Sequence, residues 1–153
     1  MSSDFSKAAL VPGQTCWKLQ SSPRVSVLVE SDVYFSALRE ACQLARQSIV
    51  IVGWDFDRHE PVGPGDDAPS FEVFFNDLLE QHANLQVWLL SWNYNLVYAA
   101  EREWFQDLHL QRDAHQRFHV HFDSEHPPGG SQHQKFVVID DQLAFCGGID
   151  LSR

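Results

Sequence analysis

One continuously apolar run, residues 48–54 (SIVIVGW), constrains the fold more than any other stretch of the sequence. The run is rich in β-branched residues and shows no alternation with polar ones, which is typical of a central strand covered on both faces. Apolar residues at helical spacing precede the run, and the apolar stripe of a second helix follows at residues 71–82. This arrangement predicts an α/β protein, in which helices cover a sheet.

The remaining segments continue the alternation of strands and helices. The pattern predicts further strands at 24–30, 85–90 and 117–122. The helix before the apolar run is predicted at 33–47, and a third helix at 98–110. Their order predicts a sandwich with a mostly parallel central sheet flanked by helices. We divide the chain into an irregular N-terminal segment, residues 1–22, and one domain, residues 23–153.

The charge and the cysteines narrow the possible partners and location. The net charge is −10, from 21 acidic against 11 basic residues, and no cluster of lysine or arginine stands out. Because proteins that hold a polyanion by its backbone need a basic surface, nucleic acid is not the expected partner. Three scattered cysteines and a start without the features of a signal peptide predict a cytoplasmic protein, and no apolar run approaches the ~20 residues that span a bilayer.

The residues with the clearest chemistry lie in 131–150. Residues 131–140 read SQHQKFVVID, with His133 and Lys135 one residue apart and Asp140 after four more, and Gly147-Gly148 follows. The apolar residues 136–139 predict a buried strand, on which His133 and Lys135 would share one face. An imidazole beside an ammonium suits attack on a phosphorus atom whose oxygens the cation neutralises.

This pattern, His-x-Lys-x4-Asp followed by two glycines, resembles the signature of the phospholipase D superfamily. Asp150 stands where the family often has Asn, and the sequence GGIDL is similar to the variant in the family's lipid-acting branch. More loosely, the first helix and residues 48–57 resemble the N-terminal half of bacterial two-motif phospholipase D-like and cardiolipin synthase-like proteins.

The resemblance implies a phosphodiesterase that works through a phosphohistidine. His133 would be the nucleophile, Lys135 would hold phosphoryl oxygens, and Asp140 would orient or electrostatically support a histidine. Hydrogen bonds to the phosphate would come from Ser131 and from the backbone near Gly147 and Gly148. No metal or other cofactor is implied, because paired lysines and imidazoles supply the positive field.

The chain contains one such motif, so the second histidine of the mechanism has to come from elsewhere. A symmetric homodimer could bring together two copies of His133. Alternatively, a second motif-bearing half could follow in a longer protein. Since Asp140 lies only 13 residues before the last residue, Arg153, we expect an N-terminal half that has little or no activity alone.

Phospholipid is the expected substrate, because the chain is acidic and aromatic residues follow the predicted strands (Trp54, Trp92 and Tyr94). Hydrolysis and transfer to an alcohol both remain open, as does peripheral membrane contact of a full-length protein. The alternatives are a homodimeric phosphodiesterase or nuclease and a non-catalytic phosphate-binding domain. Trp54 and Asp55 are expected at the pocket rim, since loops after buried strands carry function in α/β proteins. We expect no metal at Asp55 and Asp57, nor at His119 and His121.

Overall fold

The computed structural model describes residues 9–65, 67–92, 115–123, 125, 127 and 130–150. In this part of the chain the elements are α1 (Ser31–Leu44), β1 (Ser48–Gly53), α2 (Phe71–Gln81), β2 (Gln86–Trp92), β3 (Phe118–Asp123), β4 (Phe136–Ile139) and β5 (Leu143–Cys146). The strands form one sheet in the order β3-β2-β1-β4-β5. Strands β1, β2 and β3 are parallel, whereas β4 runs antiparallel to β1 and β5 antiparallel to β4. The predicted α/β class is confirmed, with a mixed sheet.

One face of the sheet packs against both α1 and α2. Alternate residues of the three inner strands are buried with the apolar faces of the two helices, as the period of two along a strand requires. On the opposite face Trp88 is 40% exposed. The buried core contains Leu38, Cys42, Ile49, Ile51, Phe71, Phe74, Phe75, Leu78, Leu79, Val87, Leu89, Val137 and Ile139.

The register of the sheet decides which loops meet. Gly53 at the end of β1 lies beside Ser91 of β2, and Val52 lies beside Phe136 at the start of β4. The residues after β1, the end of β2 and the residues before β4 therefore share one edge of the sheet. The carboxyl ends of parallel strands are where α/β folds place binding sites.

A tight hairpin joins β4 to β5. Asp140 and Asp141 lie in its turn with φ values of 51° and 55°, and the Gln142 N–H donates to the Ile139 carbonyl at 3.0 Å. Asp tolerates this left-handed conformation better than most residues. The sequence predicted a turn here but did not predict β5, a short strand that is mostly exposed.

The structure contradicts one predicted strand. Residues 24–30 form no strand, and Val25, Val27 and Val29 are 84%, 86% and 66% exposed. The first helix also begins and ends earlier than the predicted 33–47, at Ser31 and Leu44. The helix predicted at 98–110 lies outside the described residues.

Arg117 joins the end of α2 to the beginning of β3. Its guanidinium donates hydrogen bonds to the carbonyl oxygens of His82 at 2.6 Å, of Leu85 at 2.8 Å and of Leu79. Carbonyl groups in the last turn of a helix lack partners within the helix, and a cation there also complements the helix dipole. No helix within the described ranges is long and apolar enough to cross a membrane.

Candidate active site

His133 lies three residues before β4 and is exposed to solvent. Its ring centroid is 5.8 Å from that of Trp54, which it meets edge-on at 66°. Trp54 in turn stacks on Trp92, with centroids 5.8 Å apart and an angle of 22° between the planes. The structure thus brings His133 to Trp54, a predicted pocket residue, and Trp92 lies on Trp54 in turn.

Lys135 lies in a different environment, because its side chain is only 8% exposed. The predicted sharing of one strand face does not apply, since both Lys135 and His133 precede β4. The Lys135 Nζ is 3.0 Å from Oδ2 of Asp150, whose side chain is 14% exposed. An ion pair so well shielded from water is screened less than a surface pair and holds both side chains in place.

Asp150 also joins the loop after β5 to the end of β1. Its Oδ1 accepts a hydrogen bond from the Trp54 N–H at 3.0 Å. A Cβ on Gly53 would be 3.3 Å from the same oxygen, so the absence of a side chain at Gly53 leaves room for the carboxylate. Sequence reasoning did not assign Asp150 to the site, although its place in GGID, where Asn is common, was the available signal.

A small cavity lies behind the ion pair and is lined by Tyr34, Asp55, Lys135 and Asp150 among others. Asp55, the second residue predicted at the rim, is buried inside it at 5% exposure, and its Oδ1 accepts from the Phe56 N–H at 2.7 Å. Burial raises the pKa of Tyr34 to about 12, with smaller contributions from Cys42 and Asp150. Tyr34 therefore stays a neutral phenol at physiological pH.

The two glycines of the motif are exposed. A Cβ on Gly147 or Gly148 would meet no atom within 4 Å among the described residues. The Gly147 N–H donates to the Lys135 carbonyl at 3.3 Å, which ties the glycine loop to the segment before β4. Ser131 is also exposed, two residues before His133. The glycine loop thus leaves open space in which a ligand could approach the backbone closely.

Asp140 has a different role from the one expected. It lies at the opposite end of β4 from His133 and Lys135, and its carboxylate accepts three backbone hydrogen bonds, each 2.8 Å long, from residues 46–48. Partial burial alone would raise the pKa of Asp140, but these bonds and the charge of Arg46 outweigh it and hold the pKa below 3.8. Asp140 fastens the turn between α1 and β1 and does not support His133.

Among the described residues, no group of three His, Cys, Asp or Glu side chains is placed so that it could bind a metal ion. The two histidines of β3 both lie on the face opposite the helices. His119 is hydrogen-bonded to Gln86 at 2.9 Å, and its ring stacks on Trp88 with centroids 5.4 Å apart.

Comparison with known proteins agrees with the motif. No family model matches the chain. Over 147 residues the chain is 26% identical to "Phospholipase D B" of Dictyostelium discoideum. The chain is related to the phospholipase D superfamily. The match includes 90% of this chain but only 12% of that relative, so the chain spans about an eighth of its length. Among solved structures, NucT from Helicobacter pylori superposes with a TM-score of 0.48 at 17% identity, over 76% of this chain and 66% of that one.

Proposed function

We propose that this chain supplies one half of the active site of a phospholipase D-type phosphodiesterase. One observation carries the proposal: the exposed imidazole of His133 lies at the same sheet edge as the shielded ammonium of Lys135. Phosphoryl transfer uses an accessible nucleophile and a cation that is held in place, and this edge of the sheet carries both.

In the first step, a ring nitrogen of His133 attacks the phosphorus of the diester. The new P–N bond replaces the P–O bond to the leaving alcohol, whose oxygen takes up a proton. Lys135, together with cationic groups of the facing half, balances the charge on the phosphoryl oxygens, and the exposed backbone N–H of Gly148 and the Ser131 hydroxyl donate hydrogen bonds to them. The product is a phosphohistidine that still carries one esterified alcohol.

Both steps use a group that this chain does not supply. A second histidine, from another motif-bearing half, protonates the leaving alcohol and then removes a proton from the incoming water or alcohol. Attack by water gives hydrolysis, and attack by an alcohol gives transfer. We infer that the partner half belongs to the same longer protein, with a second copy of this chain as the alternative.

The charges of the cavity support the need for that partner. Lys135 is paired with Asp150, and the carboxyl group of Asp55 lines the same cavity. An anionic phosphate therefore meets a lysine whose charge is already offset. Additional cationic groups would have to come from the facing half of the site.

Phospholipid is the substrate class that we propose. The acidic surface disfavours long polyanions, whereas the stacked indoles of Trp54 and Trp92 offer an amphipathic wall beside the nucleophile. A cytoplasmic protein that contacts membranes peripherally would fit this substrate.

The test of the proposed chemistry is turnover of bis(p-nitrophenyl) phosphate over a wide range of chain concentration. The H133A variant removes the nucleophile, and H121A, which alters an exposed histidine of β3, is the matched control. We expect no sustained turnover from the chain alone. A rate that rises faster than linearly with concentration and is lost in H133A would show that a homodimer forms the active site, and would rule out the two-half protein.

A competition experiment tests the substrate class. Fluorescent liposomes of phosphatidylcholine and phosphatidylglycerol compete with a single-stranded oligonucleotide for the chain at moderate salt. We expect the liposomes to be preferred. Preferential binding of the oligonucleotide would rule out the lipid assignment and favour a nuclease.

A further inference from the structure

Residues 24–30 carry an apolar stripe that the fold leaves uncovered. Val25, Val27 and Val29 alternate along the segment and are 84%, 86% and 66% exposed, while Leu28 between them is half-buried. Alternating valines are typical of a strand with one covered face. Within the described part of the chain, residues 25–29 make no backbone hydrogen bond, so their donors and acceptors are open to a partner strand.

The segment is complementary to itself. Its sequence is RVSVLVE, with Arg24 at one end and Glu30 at the other. When two copies pair antiparallel about a two-fold axis at Val27, Arg24 of each copy faces Glu30 of the other. Val25 then faces Val29, and the two Val27 residues face each other. Cross-strand pairs of opposite charge and of β-branched residues both stabilise a sheet.

The segment also leads directly to the candidate active site. Glu30 precedes α1, and Ser31 and Asp32 line one groove together with Ile149 and Asp150, the partner of Lys135. A chain that pairs with residues 24–30 would therefore lie next to this groove.

We propose that two copies of this chain associate by antiparallel pairing of residues 24–30. An isologous contact of this kind satisfies the same backbone groups in both copies. The contact is small, so we expect weak association, with a Kd of about 10 µM to 1 mM. The pairing is independent of whether His133 is a nucleophile.

Sedimentation equilibrium over chain concentrations up to about 1 mM measures the association. In V27K two ammonium groups would meet on the axis, and in V27P the central N–H is missing. We expect each variant to raise the Kd at least about tenfold. V73K, which alters a half-exposed valine of α2, is the control and should associate like the wild type. Because Val27 is 86% exposed, urea unfolding should show all three variants to be folded.

Charge reversal tests the register itself. R24E places Glu opposite Glu30, and E30R places Arg opposite Arg24, so each variant alone should dimerise less than the wild type. An equimolar mixture of the two restores both opposite-charge pairs and should dimerise more strongly than either variant alone. A wild-type chain that stays monomeric, an association that V27K leaves unchanged, or a mixture that shows no recovery would each overturn the proposal.

Discussion

Lys135 and Asp150 form an ion pair, with Nζ and Oδ2 3.0 Å apart, that joins the segment before β4 to the loop after β5. Because Asp150 also accepts the Trp54 N–H, the pair holds three chain segments together at the edge where His133 lies. The same carboxylate both positions the lysine and offsets its charge. Asp150 should therefore influence stability and phosphate binding in opposite directions.

Replacing Asp150 with Asn tests this dual role. D150N leaves a shielded ammonium without its counter-charge, so we expect the free energy of unfolding to fall by about 2–3 kcal/mol. The uncompensated Lys135 should bind inorganic phosphate several-fold more tightly. Urea unfolding and an NMR titration of the His133 ring measure the two effects. D141N, an exposed change in the β4–β5 turn, should alter neither, and unchanged phosphate affinity in D150N would contradict the charge argument.

Asp140 should make the free energy of unfolding depend on pH in the acid range. Its pKa is lower in the folded chain than its ordinary value of 3.8, so the ionised form stabilises the fold above that value. The contribution is lost as the pH falls from 3.8 through the folded pKa. At neutral pH D140N should lower the free energy of unfolding by about 1–3 kcal/mol, since an amide N–H₂ would face a backbone N–H.

The check on Asp140 is urea unfolding of the wild type and D140N between pH 2 and pH 7. The gap between the two proteins should narrow below about pH 4. A gap that is constant over the whole range would show that the charge of Asp140 does not contribute.

Arg117 should stabilise the end of α2 through its geometry as well as its charge. Lysine keeps the charge but cannot direct a planar fork of donors at three carbonyl oxygens. We expect R117K to lower the free energy of unfolding by about 1–3 kcal/mol. R58K, which alters a partly exposed pair with Glu72 at 3.7 Å, should change it by less than about 0.5 kcal/mol. Equal effects of the two substitutions in thermal or urea unfolding would contradict this role.

The sequence predicted the elements whose pattern is local. The apolar run forms β1, as predicted, and the segment with the phenylalanine stripe at 71–82 forms α2. Residues 24–30 have an equally good strand pattern but form no strand, because a strand requires a neighbouring strand and the pattern cannot show whether one exists. The same dependence explains β5, whose exposed residues form a strand through pairing with β4.

Part of the arrangement at the candidate site follows from the predicted strands, whereas the roles of its residues stay predictions. The positions of His133, Lys135 and Trp54 near one another follow from strand ends that share an edge. The partners of Asp140 and Asp150 could not be predicted, because each lies on another element. Asp140 accepts hydrogen bonds from residues 46–48, which are more than 90 positions away in the sequence. Asp150 accepts one from Trp54, which is 96 positions away. Only the folded register brings these groups together.

We propose that His133 is the nucleophile and that a histidine of another half completes the reaction. Bis(p-nitrophenyl) phosphate separates the two steps, because p-nitrophenolate leaves at neutral pH without a proton from a general acid. We expect attack by His133 to form a P–N bond and to release one p-nitrophenolate. The resulting phosphohistidine should persist when no second histidine is present to activate water. Rapid-quench measurement of released p-nitrophenolate, with intact mass of the chain, follows both products.

We expect a burst that approaches one equivalent of p-nitrophenolate per chain, a matching covalent adduct on His133, and no further turnover. The adduct should be absent in H133A and present in H121A. A wild-type chain that releases no p-nitrophenolate, or that carries the adduct on another residue, would show that His133 is not the nucleophile.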